Sequence, residues 1–159
     1  MTNGVVSMSP SFIGIEPAEF EQDGVPMAPL RDHAAAGVAL IGALPADLRD
    51  AALLGSRPRE LHAGAGRDGV LPAREGSRVG EWPEERQRQL VAMVRLWVGV
   101  MPPVAAQRRL AAIAAELPEV RFAWHGPTDG SGSLYYRIQC PTLIIEFSTR
   151  GALGARGGH

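Results

Sequence analysis

Residues 121–147 read RFAWHGPTDGSGSLYYRIQCPTLIIEF, and they set the architecture that we predict for the chain. Apolar and polar residues alternate in three runs, which is the period of a β-strand. Asp129-Gly130 between the first two runs is a strong hairpin signal, and Cys140-Pro141 ends the second because proline has no N–H to donate. The stretch predicts an antiparallel meander over residues 121–148. Its predicted strands are 121–125, 134–139 and 142–148.

One face of the predicted meander carries most of the side chains that could do chemistry, whereas the other face is apolar. The candidate ligand-binding residues on the mixed face are His125, Tyr135, Arg137 and Glu146. Whether they meet depends on the register of the strands. The side chain of His125 could act as a ligand or a base. Alternatively, it could simply form hydrogen bonds with the backbone of the adjacent turn. Arg137 and Glu146 could clamp a substrate, or form a cross-strand ion pair of under about 1 kcal/mol.

The rest of the chain is interpreted as scaffold around this sheet. Helices are predicted over residues 31–54, and a helical hairpin over 83–117 has an apolar stripe that includes Trp97. The fold class is therefore α+β, with helix pairs packed on a small antiparallel β-meander. We expect residues 1–159 to form a single domain that is incomplete. Its remaining parts are an extended arm over 1–30, a loop over 55–82 and a tail over 149–159.

Composition narrows the class of function. The net charge is -1, so no basic surface argues for nucleic-acid binding, and all 16 basic residues are arginine. The single cysteine, Cys140, excludes an internal disulfide framework and a cysteine-rich metal site. No apolar run reaches the roughly 18–20 residues that span a membrane, and the N-terminus lacks the pattern of a signal peptide. We expect no membrane partner and a cytoplasmic location.

Two blocks of the sequence resemble a bacterial family known only as a domain of unknown function. The blocks are Phe122–Gly126, FAWHG, and Leu134–Phe147, LYYRIQCPTLIIEF, which match the family pattern F-x-W-x-G followed by YYRI-x-GP-x-x-IEF. Cys140 stands where the family has glycine. PSFIGIEP at residues 10–17 is similar to a further family segment, so the resemblance covers essentially the whole chain.

The resemblance also implies a metal site in a complete member of the family. Family members carry a G-HH-x-S-x-N motif before the region of Phe12 and an H-x-H motif followed by RDP after the IEF strand. In this chain the first motif is missing, and only His159 matches the opening of the second. Two histidine pairs flanking a sheet would suit a divalent metal ion. The implied metal ligand is His159 alone, and the resemblance assigns no activity.

Three functional hypotheses follow. The chain is a fragment of a protein that is a metal-dependent enzyme when complete. Alternatively, its mixed sheet face binds a small anionic ligand or a peptide without catalysis. In the third hypothesis, the chain is a degenerate remnant without a function of its own. The residues give no substrate and no oligomeric state.

Overall fold

A computed structural model describes residues 19–56, 61–63 and 71–149. These residues form helices and two sheets, so the α+β class is confirmed. The α-helices of the described residues are α1 Arg31–Ala43, α2 Ala46–Ala52, α3 Glu84–Val98 and α4 Pro103–Ala115. The strands are β1 Phe20–Gln22, β2 Val25–Met27, β3 Leu53–Gly55, β4 Ser77–Arg78, β5 Arg121–His125, β6 Tyr135–Cys140 and β7 Leu143–Ser148. Short 3₁₀ helices cover Val79–Glu81 and Leu117–Glu119.

The larger sheet has five strands, in the order β3-β5-β6-β7, with β4 also paired to β5. The pairs β5–β6 and β6–β7 are antiparallel and form the meander that the sequence predicts. The sheet is nevertheless mixed and larger than predicted, because β3 pairs with β5 in parallel. Leu53 and Leu54 were expected to be helical, but α2 ends at Ala52 and the chain becomes extended. A strand of three residues is too short to show an alternating pattern.

The apolar face of the sheet carries the core. Tyr136 stacks on Phe147 with ring centroids 5.0 Å apart, and the indole of Trp97 from α3 meets Phe147 edge-on at 6.1 Å. Helix α1 approaches the same face at Gly37, where a Cβ atom would lie 2.8 Å from Cε1 of Tyr136. The apolar stripe of α3 is buried in the same cluster. The helices therefore cover one face of the sheet.

A β-hairpin, β1–β2, occupies part of the segment that was predicted as an extended arm. Asp23 and Gly24 both have positive φ, 52° and 78°, as a two-residue hairpin turn with a right-handed strand twist requires. The Asp-Gly pair was a readable signal for it. Residues 1–18 of the arm, including PSFIGIEP, lie outside the described residues.

Two described pieces of the predicted loop over residues 55–82 lie against the polar face of the sheet. Its described parts include strand β4 and the first 3₁₀ helix, short elements that the loop prediction missed. Residues 61–63 and 71–76, which we call the strap, contact side chains of β6 and β7. Within the described ranges, no helix is long and apolar enough to cross a lipid bilayer.

Candidate functional site

The four candidate residues lie on one face of the sheet. The register pairs His125 with Tyr135 and Arg137 with Glu146, and side chains two residues apart on a strand share a face. All four are buried, with exposed fractions of 4%, 1%, 2% and 3% in that order. Buried polar groups of this kind need partners, and most of the partners come from the strap.

The Glu146 carboxylate accepts three hydrogen bonds. Its Oε1 accepts from the hydroxyl of Tyr135 at 2.5 Å and from the backbone N–H of His62 at 2.9 Å. Its Oε2 accepts from the backbone N–H of Ala63 at 2.7 Å. Hydrogen bonds to an ionised acceptor are short and strong, and here they compensate for the burial of the charge. Two of the three donors belong to the main chain of the strap.

Arg137 holds the other end of the strap. Its Nη2 donates to the carbonyl oxygen of Ala73 at 2.8 Å and lies 3.3 Å from Oε2 of Glu75. The ion pair that the structure gives Arg137 is therefore with Glu75 of the strap, although Glu146 is its neighbour across the strands. Glu75 keeps 42% of its side chain exposed, so solvent weakens this pair.

Gln139 belongs to the same face and was not among the predicted site residues. Its Nε2 donates to the carbonyl oxygen of Pro72 at 2.9 Å. Gln139 and Arg137 thus bind two consecutive carbonyl groups of the strap. The alternation along β6 could have marked Gln139, because it puts Gln139 on the face of Tyr135 and Arg137.

His125 and Tyr135 form the end of the polar face nearest β3. Their rings meet edge-on with centroids 5.6 Å apart, and a Cβ atom at Gly55 would lie 3.1 Å from Nδ1 of His125. Burial and the neighbouring Glu146 carboxylate raise the pKa of the Tyr135 hydroxyl well above its usual value. Tyr135 therefore keeps its proton and acts as a hydrogen-bond donor.

Cys140 lies at the end of β6, beside the first residues of the turn to β7. Burial and the Glu116 carboxylate raise the pKa of its thiol. A thiol with a raised pKa is a poor nucleophile at neutral pH, since the thiolate is the reactive form.

The metal hypothesis rests on His159, which lies outside the described residues. Within residues 19–56, 61–63 and 71–149, no group of three or more His, Cys, Asp or Glu is arranged to hold a metal ion. The expectation of a metal site therefore stays a prediction from the resemblance.

The polar face of the sheet holds main-chain groups of the strap. Glu146 accepts from two successive N–H groups, and Arg137 and Gln139 donate to two successive carbonyls. Side chains that bind main-chain groups can hold a segment whatever its side chains are, because every residue has a carbonyl and all but proline have an N–H.

Comparison with known protein families finds a match over the full sequence given. The model of a family described as "Protein of unknown function (DUF3500)" matches residues 1–159, which confirms the resemblance to a family of unknown function. No curated protein and no solved structure is detectably similar to the chain.

Proposed function

The chain belongs to the DUF3500 family of proteins of unknown function, and we propose that its polar sheet face binds the main chain of a polypeptide segment. The face comprises Tyr135, Arg137, Gln139 and Glu146. In this protein the strap itself occupies the face, in the position that we propose for the bound polypeptide.

One observation carries the proposal: all four hydrogen bonds between these sheet side chains and residues 62, 63, 72 and 73 go to main-chain atoms. Recognition of this kind suits many sequences, because every residue offers a carbonyl and all but proline offer an N–H. Among the described residues, Arg137 also pairs with the side chain of Glu75, a contact that would add sequence preference.

Each single contact that holds the strap is of modest size. A hydrogen bond to a charged group contributes about 1.5–3 kcal/mol, and a partly exposed ion pair about 0–1 kcal/mol. Residues 71–75 belong to neither a helix nor a strand, so this part of the strap has no ladder of its own to lose. Segments of this kind open locally without global unfolding. A polypeptide in trans could then take the same bonds.

Binding of a labelled peptide tests the proposal. The peptide has the sequence of residues 61–76, LHAGAGRDGVLPAREG, and its affinity for the protein is measured by fluorescence polarisation. Glu75→Ala in the protein removes a strap contact and should tighten peptide binding up to about fivefold, equivalent to about 1 kcal/mol. Arg137→Met should weaken peptide binding at least tenfold, because it removes a charged donor. Near-UV circular dichroism checks that each variant keeps its fold.

Arg74→Ala is the matched control. Arg74 is the neighbouring strap residue, but it pairs with Glu119 at 3.5 Å, where both side chains are largely exposed. Its removal should leave peptide affinity unchanged. Equal affinities for wild type, Glu75→Ala and Arg137→Met would reject the proposal.

A polypeptide main chain suits this face better than the small anionic ligand that the sequence also allowed. The charge of Arg137 already faces Glu75, and Glu146 lies across the strands from it. An added anion would meet two carboxylates, whereas peptide groups carry no net charge. The hypothesis of a metal-dependent enzyme stays a prediction that depends on His159, and metal analysis of the purified protein tests it.

A further inference from the structure

The exposed apolar side chains of the described residues are concentrated at two sites. Six large apolar residues are exposed in this part of the chain, and five of them lie at these sites. The hairpin β1–β2 carries Val25, which is 56% exposed, and Met27. The junction of α3 and α4, which we call the helix corner, carries Leu96, Val100 and Val104. Single exposed apolar residues are ordinary, whereas grouped ones mark a contact surface.

The two sites carry opposite charges. Residues 86–115, which include the helix corner, contain five arginines and no acidic residue. Arg95 and Arg108 are exposed there, and neither forms an ion pair within the described ranges. Residues 20–27 of the hairpin contain two acidic residues, both exposed, and no basic residue. The hairpin and the helix corner are therefore complementary in charge, and both are apolar.

The hairpin offers its side chains for contact rather than the edge of a strand. Val25 and Met27 are two residues apart, so they lie on the same face of β2. Pro26 lies between them and has no N–H to donate to an added strand. An isolated two-stranded hairpin is at best marginally stable in water, so packing against another surface would stabilise it.

The hairpin and the helix corner lie at the same end of the molecule. His33 in the first turn of α1 contacts Trp97 in the last turn of α3, with ring centroids 4.8 Å apart. Trp97 is the sequence neighbour of Leu96 in the helix corner. Strand β2 ends four residues before Arg31, where α1 begins, and four residues span at most about 14 Å. Each molecule therefore presents an acidic and a basic apolar site at one end.

We propose that two copies of the chain associate through this end about a two-fold axis. A two-fold interface uses the same surface on both copies, so each contact occurs twice. The hairpin of each copy packs on the helix corner of the other, with its acidic residues near Arg95 and Arg108. The chain itself carries the complement of each site, which makes a second copy the partner that fits. This surface does not include the polar sheet face, so the inference stands apart from the proposed function.

Sedimentation velocity of the full chain over about a hundredfold range of concentration tests the proposal, because dimerisation follows mass action. The chain should pass from monomer to dimer as its concentration rises. Val100→Glu puts an acidic residue into the helix corner and should weaken the association at least about tenfold. Leu71→Glu is the matched control, since Leu71 is an exposed apolar residue outside both sites, and it should leave the association unchanged. Circular dichroism checks the fold of both variants.

Charge exchange tests whether the two sites contact each other. Arg108→Glu and Glu21→Arg should each weaken self-association, because like charges then approach across the interface. An equimolar mixture of the two variants should associate more tightly than either variant alone. In the mixed dimer, each altered site meets its complement on the other chain, and the unaltered sites meet as in the wild type.

Three results would overturn the proposal. A chain that stays monomeric at every concentration would leave a different protein as the partner of the two sites. Species that grow beyond the dimer would exclude the closed two-fold arrangement. A mixture of the charge variants that associates no more tightly than either alone would show that the hairpin and the helix corner do not contact each other.

Discussion

The hydroxyl of Tyr135 lies 2.5 Å from Oε1 of Glu146, although the two residues are not register partners. Tyr135 pairs with Ser148 and Glu146 with Arg137, so the hydrogen bond runs diagonally between β6 and β7. The same carboxylate accepts from the main chain of the strap at His62 and Ala63. Tyr135 therefore orients the group that holds the strap, and it links the sheet to the segment that covers it.

Replacement of Tyr135 by phenylalanine should destabilise the protein by about 1.5–3 kcal/mol, the range for a hydrogen bond to a charged group. Tyr136→Phe is the matched control on the opposite face, where the hydroxyl donates to the neutral carbonyl of His33 at 3.2 Å. Its loss should cost about 0.5–1.5 kcal/mol. Urea unfolding of both variants measures the difference. A cost for Tyr136→Phe equal to or above that for Tyr135→Phe would contradict the role given to Tyr135.

Alanine substitution at two glycines of α1 should change the stability of the protein in opposite directions. At Gly37 a Cβ atom would lie 2.8 Å from Cε1 of Tyr136 and 3.3 Å from Cζ3 of Trp124, so Gly37→Ala overpacks the core and should cost about 1–3 kcal/mol. At Gly42 nothing lies within 4 Å, so Gly42→Ala should gain up to about 1 kcal/mol from helix propensity. Thermal unfolding of the two variants checks the signs. Stabilisation by both substitutions would mean that α1 does not approach the sheet this closely.

Stability should fall as the pH drops below 6.5, and His33 should account for part of the loss. Burial lowers the pKa of His33 from its ordinary value of 6.5, against the weaker opposing effects of the Leu96 backbone and Asp32. The unfolded chain then binds the proton before the folded one, so the contribution of His33 is complete above pH 6.5 and is lost as the pH falls through the folded pKa. The ring lies edge-on to Trp97 at 4.8 Å, and His33→Phe keeps an aromatic ring there.

The measurement for His33 is the free energy of unfolding between pH 8 and pH 5. Wild type should lose more stability than His33→Phe over the interval below pH 6.5. A parallel pH dependence for the two proteins would show that His33 titrates alike in the folded and unfolded chains.

The parts of the fold that the sequence predicts well have a strong local period. Alternation over residues 121–148 predicts the bounds of β5, β6 and β7 to within one residue. The apolar stripe after Pro83 likewise predicts a helix over the range in which α3 Glu84–Val98 is found. In both cases the local sequence pattern shows which face of the helix or strand each residue lies on. The prediction therefore needs no knowledge of contacts with distant parts of the chain.

The remaining parts depend on long-range pairing or on atoms that all residues share. Leu53–Gly55 is a strand because β5 lies beside it, and three residues carry no period that would reveal this. The strap is held at His62, Ala63, Pro72 and Ala73 through main-chain atoms, so the side chains of these four residues give no sign of the contact. The diagonal bond of Tyr135 required the strand register, which depends on packing across the whole sheet.

Hydrogen exchange at the backbone amides of His62 and Ala63 tests the central claim most directly. Both amides donate to the buried carboxylate of Glu146, so they should exchange slowly in the protein alone. If the polar face binds a polypeptide main chain, an excess of the unlabelled 61–76 peptide should accelerate both amides in the ¹⁵N-labelled protein and leave the core amides of β6 unchanged. Unaltered exchange at His62 and Ala63 under a large excess of peptide would contradict the account, because the strap would then be a fixed part of the fold.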